Sequence, residues 1–170
     1  MQITLVRIDD EGRYTTRIQR DDGVRFSIQG VGHHFEVPHD LAHFAVERAL
    51  RLHTGFWGTI AAGGLFPSMT YEGGRRKPKA AERSKASLKA NVRRLVEAEI
   101  AVNVFSAAIS EGHAQTSAVL RGLLRERLPT LEREITGSKV ANVYSGYRQV
   151  ADQWKALRVG EAMRLIWPSR

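Results

Sequence analysis

Arg13-Tyr14-Thr15-Thr16-Arg17-Ile18-Gln19-Arg20-Asp21-Asp22-Gly23-Val24-Arg25-Phe26-Ser27-Ile28-Gln29 reads as two strands joined by a tight turn, and this stretch decides the fold. Tyr14, Thr16 and Ile18 fall on one side of the first strand, with Arg13, Thr15, Arg17 and Gln19 on the other. After the turn, Val24, Phe26 and Ile28 alternate with Arg25, Ser27 and Gln29. Alternation with period two sets one face of a sheet against a core and leaves the other in water. Asp22-Gly23 suits the turn, because glycine takes the positive φ that a tight hairpin requires.

Upstream, Ile3–Ile8 repeats the alternation and ends at the turn-like Asp9-Asp10-Glu11-Gly12, which predicts an antiparallel meander. Downstream, Gly30 to Gly32 breaks the pattern, and His33–Val37 is read as a further short extended piece. Pro38 suits the first position of a helix, where its missing N–H costs nothing. His39 to His53 predicts that helix, closed by Gly55. Gly55–Gly64 predicts a packed turn or short helix, and Pro67–Pro78 a loop.

From Ala80 the period becomes helical. Leu88, Val92, Leu95, Val96, Val102 and Ile109 fit one long helix reaching about Ser110, with Leu88, Val92 and Leu95 used as core. Val119, Leu120, Leu123, Leu124 and Leu128 mark the next helix, which Pro129 must end or kink. Val140, Val143, Tyr144, Tyr147, Val150, Ala151 and Trp154 form a stripe at helical spacing behind Ser138 as a cap. Met163–Trp167 reads as a closing strand. The expectation is one α+β domain over residues 1–170: an N-terminal antiparallel β-meander of three to four strands packed against three to four helices, with the C-terminal strand returning to the sheet. The sheet would draw on about 1–37 and 162–168, and the helices on about 38–160.

A content of 42% hydrophobic and 26% charged residues in 170 is that of a globular chain, long enough for its own core. There is no cysteine, which excludes disulfides and thiolate metal ligands. Together with a start unlike a signal peptide, this predicts a reducing, cytoplasmic setting. No apolar run reaches about 18 residues, so no membrane partner is expected.

The net charge of +8 is concentrated. Residues 75–94 hold nine basic side chains opposed only by Glu82, while the other 150 residues carry 17 basic and 17 acidic groups. Arg75, Arg76, Lys77, Lys79, Arg83, Lys85, Lys89 and Arg93 are the predicted contacts to a polyanion, nucleic acid first, because neutralising phosphates releases counterions. Gly73-Gly74 would let this segment move. No aromatic lies within it, so base stacking is not offered. A solvated loop and helix face accounts for the same charge.

His39-Asp40-Leu41-Ala42-His43 resembles the His-Glu-x-x-His signature of zinc-dependent peptidases over these five residues, and assigns no family. Imidazoles at i and i+4 share a helix face and can share a divalent metal such as zinc. The resemblance implies His39 and His43 as ligands and Asp40 as general base; Glu47 extends the row at i+8. Asp40 is one methylene shorter than the usual glutamate, and Ala49 stands where one branch of those enzymes has a further histidine. A third ligand would come from Glu47, His53, Glu72 or His113, with His33 and His34 as further donors. A helical wheel places His39, Asp40, His43 and Glu47 on a polar outer wedge bordered by Val46 and Leu50, which hints that the wedge is covered.

Phe56 and Trp57 are expected to fill the space between helix and sheet. Val102, Val104, Phe105 and Ile109 make the long helix apolar on more than one side, which fits either central burial or a homodimer contact. Three functions follow in order: a non-catalytic binding or adaptor domain for a polyanion, a metal-dependent hydrolase on the histidine helix, and a structural homo-oligomer.

Overall fold

The computed structural model describes residues 1–32 and 37–168. The extended piece expected at 33–37 falls mostly outside them, as do His33 and His34. The quoted stretch forms β2 (Tyr14–Gln19) and β3 (Arg25–Gly30), paired antiparallel with Ile18 opposite Phe26. Gly23 makes the turn at φ 79°, and the Arg20 N–H donates to the Val24 carbonyl at 3.0 Å.

β1 (Gln2–Arg7) lies against β2 with Ile3 opposite Ile18 and Leu5 opposite Thr16. β5 (Ala162–Ile166) returns beside β1, placing Leu165 opposite Ile3 and Met163 opposite Leu5. All of these side chains point to one buried face, as the alternation requires. A fifth strand, β4 (Met69–Gly73), extends the sheet beyond β3, giving the antiparallel order β4-β3-β2-β1-β5. The sequence of Pro67–Pro78 predicts a loop there. β4 is an edge strand whose side chains are mostly exposed, so backbone pairing to β3 holds it and no apolar alternation betrays it. A bulge in this pairing leaves Glu72 where Ser27 Oγ donates to it at 2.5 Å.

Six helices complete the fold: α1 (His39–Leu50), α2 (Phe56–Ala61), α3 (Ala80–Ser110), α4 (Ala118–Arg127), α5 (Pro129–Glu132) and α6 (Gly137–Ala156). The count exceeds the expected three to four because of two short helices, α2 of six residues and α5 of four. Pro38 precedes the first turn of α1 rather than opening it. Arg51, at φ 60°, ends α1 in place of Gly55, which instead starts α2. Thr136, not Ser138, caps α6, accepting from the Lys139 N–H, and Ser138 bonds the Thr136 hydroxyl.

α1 is the central helix, packing on α6 and α3. It meets the sheet through Thr16, whose hydroxyl donates to Asp40 Oδ2 at 2.7 Å. Phe44 packs edge-on to Trp167, and Tyr14 edge-on to Trp154 of α6. Trp57 is fully buried, as expected of a space-filling residue, and its indole N–H donates to the Asp40 carbonyl at 2.9 Å. α3 is buried along one side from Ala98 onward through Ala101, Val102, Val104 and Phe105. Apart from Ser84, buried against the Leu65 backbone, its first half is largely exposed, so Val92 and Val96 are exposed rather than packed as their spacing suggested.

Leu5, with no exposed surface, and Ile166, 59% exposed, sit on opposite faces of adjacent strands. Leu5→Ala should cost ~2–5 kcal/mol in urea unfolding by transfer and cavity terms. Ile166→Ala should stay within ~0.5 kcal/mol.

Candidate metal centre

The His39–Asp40–Leu41–Ala42–His43 turn sets two imidazoles on the side of α1 that faces α3, with ring centroids 4.5 Å apart. The carboxylate of Glu99, on α3, reaches both. Its Oε1 lies 3.2 Å from His39 Nε2 and its Oε2 lies 3.0 Å from His43 Nε2. Asn103, one helical turn further along α3, donates to Glu99 Oε1 at 3.2 Å and to the Glu99 carbonyl at 3.0 Å, fixing the side chain. The donor atoms of His39, His43 and Glu99 all lie within 4.8 Å of one another. Tetrahedral zinc with bonds near 2.0–2.1 Å separates its donors by about 3.3 Å, so the three can close on one ion by small side-chain movements.

Beneath them, Glu47 is buried completely. Its Oε1 accepts from His43 Nδ1 at 2.8 Å and from the Phe56 N–H at 2.7 Å, and its Oε2 accepts from the Trp57 N–H at 3.0 Å. The two backbone donors belong to the first turn of α2, where helix N–H groups have no partner of their own. Gly55 makes room for this arrangement, since a Cβ there would overlap the Glu47 carboxylate. Phe56 then packs 5.4 Å from the His43 ring, walling its inner side.

Carboxylates only accept, so both nitrogens of His43 donate and the metal-free ring is an imidazolium. Burial works against that charge, but the bonds to Glu47 and Glu99 prevail, and the pKa is pushed up to about 9. The His39 and His43 bonds hold the Glu99 carboxyl well below the usual carboxylate range. Burial pushes the Asp40 carboxyl up, opposed in part by the Thr16 hydroxyl.

The structure therefore brings His39 and His43 together with Glu99 rather than with Glu47, which lies behind His43 as its hydrogen-bond acceptor. Asp40 is held on Thr16, outside the three donors. Of the other anticipated third ligands, Glu72 bonds Ser27 on the outer edge strand, and His113 pairs with Glu111 at 3.1 Å. His53, in the turn after α1, is not among the three donors. No local signal marks Glu99, since it lies 56 residues after His43 and reaches it only because α3 packs on α1. The wedge expected to be polar and bordered by apolar residues is covered: His43 and Glu47 are buried. His39 and Glu99 keep 39% and 47% of their side chains exposed, so the centre opens to solvent on one side.

The basic residues lie elsewhere. Arg75, Arg76 and Lys77 occupy the turn after β4, Lys79 precedes α3 at φ 56°, and Arg83, Lys85, Lys89 and Arg93 lie along the exposed first half of α3. Arg93 bonds Glu97 at 3.2 Å and Thr130 at 3.0 Å. Among the described residues no helix is long and apolar enough to cross a membrane.

Gly55→Ala should destabilise the chain by ~1–3 kcal/mol, the usual cost of overpacking. Gly122→Ala, in α4 with nothing near its Cβ position, should stabilise by up to ~1 kcal/mol through helix propensity. Urea unfolding of both variants checks the pair. For metal-free protein, stability also depends on pH. The His43 pKa is raised, so its contribution is complete below 6.5 and is lost as pH climbs through about 9. The Glu99 pKa is depressed, so its contribution is complete above 4.5 and is lost in more acidic solution. A melting temperature that is highest between these limits, and a flattened alkaline limb in Glu99→Gln, are the expected results.

No family model, curated protein or solved structure matches this chain.

Proposed function

We propose that this chain is a divalent-metal protein of the zinc class, with His39, His43 and Glu99 as ligands and metal-dependent hydrolysis as its activity. The convergence of two imidazoles and one carboxylate within 4.8 Å carries the reading. Two further features support it. Glu47 accepts the Nδ1–H hydrogen bond of His43, which is the support a ligating histidine needs to present Nε2 to a metal. Three protein ligands on a centre partly open to solvent leave a coordination position for water, the arrangement of catalytic rather than structural zinc. A zinc ion lowers the pKa of bound water to about 7, supplying a nucleophile at neutral pH. The base role implied for Asp40 does not enter, because its carboxyl is buried on Thr16.

Elemental analysis of untagged protein should find one zinc per chain, lost in His43→Ala and Glu99→Ala. Glu47→Gln should retain the ligands but bind zinc ~10–100-fold more weakly. Ester and phosphoester hydrolysis should disappear with chelator and return with zinc. Protein that binds no divalent metal, and whose melting temperature zinc leaves unchanged, would sink the reading.

A second reading is that the basic segment engages an anion, nucleic acid being the first candidate. It is favoured by one observation: of the eight named cations, Arg93 alone forms an ion pair with another side chain among the described residues. Fluorescent RNA and DNA titrated across a salt series test it. Affinity that falls steeply with salt is expected, with a shallower slope in a variant carrying alanine at Arg75, Arg76, Lys77 and Lys79.

A further inference from the structure

Between the β2–β3 turn, the end of α2 and the start of α3 lies a cleft of about 650 Å³, within the range of small-ligand sites. We infer that this cleft binds the phosphate group of a small organic phosphate of about mononucleotide size, through Arg76, Lys77 and Arg83. The inference is independent of the metal centre. It rests on the reading that the basic segment meets an anion, and narrows it to one place and one ligand class.

The lining charges are not balanced. Asp22 is bonded by Arg20 and also feels the charge of Lys77, and Asp21 lies 2.8 Å from the Met1 ammonium. That leaves Arg76, Lys77 and Arg83 around the cleft with no ion pair among the described residues. Arg76 is also held in place. Its guanidinium carbon sits 3.8 Å over the Tyr71 ring and 5.6 Å from the Phe26 centroid, so the stack orders the fork while leaving its N–H edge to hydrogen-bond. Ordering an arginine before the ligand arrives removes part of the entropy that binding would otherwise cost.

The backbone carries the residue there. Gly73-Gly74, read from sequence as a hinge, is instead a close fit: Gly74, at φ 96°, lies against the Gly23 carbonyl and Val24, where a Cβ would overlap them. The Tyr71 hydroxyl donates to the Gly74 carbonyl and closes the turn. The lining also has a small apolar wall, exposed Ala61 and half-buried Leu65, with Val24 and Phe26 behind it as core. A bare inorganic ion would leave this wall uncovered, whereas an organic phosphate with a flat or apolar body would use it. Ala80, in the first turn of α3, also lines the cleft, adding the positive end of a long helix.

The cations farther along differ. Arg93 and Arg94 pair with Glu97, interrupting the positive strip before it reaches the middle of α3. Arg83 and Glu99, 16 residues apart on one helix, are separated by about 24 Å along its axis, so a mononucleotide in the cleft does not touch the metal centre.

Calorimetric titration of the full chain with AMP, and separately with inorganic phosphate, tests the inference; mixed-sequence RNA serves as the polymer arm. Repeating the titrations in excess EDTA removes any phosphate held by a metal. Saturable AMP binding that is tighter than phosphate binding is expected. It should weaken about tenfold or more in Arg83→Gln and in Arg76→Gln, and be unchanged in the doubly substituted Lys85→Gln, Lys89→Gln. Arg76→Gln could disturb the turn; the Arg83→Gln result stands without it. No saturable AMP binding at low salt overturns the inference, as does equal weakening in the Lys85 and Lys89 variant. If RNA binds while AMP does not, the cleft is wrong and the wider anion reading survives; if neither binds, both fall.

Discussion

A carboxylate with no solvent contact, Glu47, holds three donors at once: the His43 ring, and the Phe56 and Trp57 amides. An unpaired buried carboxylate would cost several kcal/mol, so the surroundings of Glu47 are constrained as a set. The α1–α2 connection must bring the first turn of α2 back over α1, Gly55 must lack a side chain, and His43 must present Nδ1. Each requirement has a consequence beyond Glu47. Returning α2 buries Trp57, which bonds the Asp40 carbonyl. It also sets Phe56 against His43 and Phe66, closing the inner side of the centre.

α1 is consequently an unusual core helix, carrying Asp40, His43 and Glu47 into the interior beside Leu41, Phe44 and Val46. Each polar group has its own acceptor or donor, from β2, α2 or α3. A helix seated only by apolar contacts tolerates rotation and repacking, whereas these directional bonds fix its rotation relative to three neighbours. Fixed rotation is what a ligand pair at i and i+4 needs, because both Nε2 atoms must address the same point.

The parts legible in the sequence were those governed by local periodicity. Four strands announced themselves because one face of each is apolar, and Ala80–Ser110 because its period is sustained. β4 did not, since an edge strand draws on backbone hydrogen bonds that no side-chain pattern records. The histidine pair was legible from its spacing, but the partnership was not. Glu47 looked like a third ligand because it continues the helical row; the returning α2 amides claim it instead. Glu99 has no local mark, and its role exists only where two helices cross. The basic segment was visible as composition, yet the stacking of Arg76 on Tyr71 depends on a strand that the sequence did not reveal.

α3 connects the two candidate sites and also keeps them apart. Its first half is cationic and solvent-facing, and from Ala98 it joins the core. Glu97 stands at this boundary and takes both Arg93 and Arg94. Glu99, at i+5 and i+6 from these arginines, lies on a different face of the helix, turned toward His39 and His43. Screening completes the separation: roughly 24 Å of helix exceeds the Debye length of about 8 Å at physiological salt, so charge gathered in the cleft has little effect on the imidazoles. The two ends of one helix can thus carry opposite chemistry, because axial distance and screening divide them.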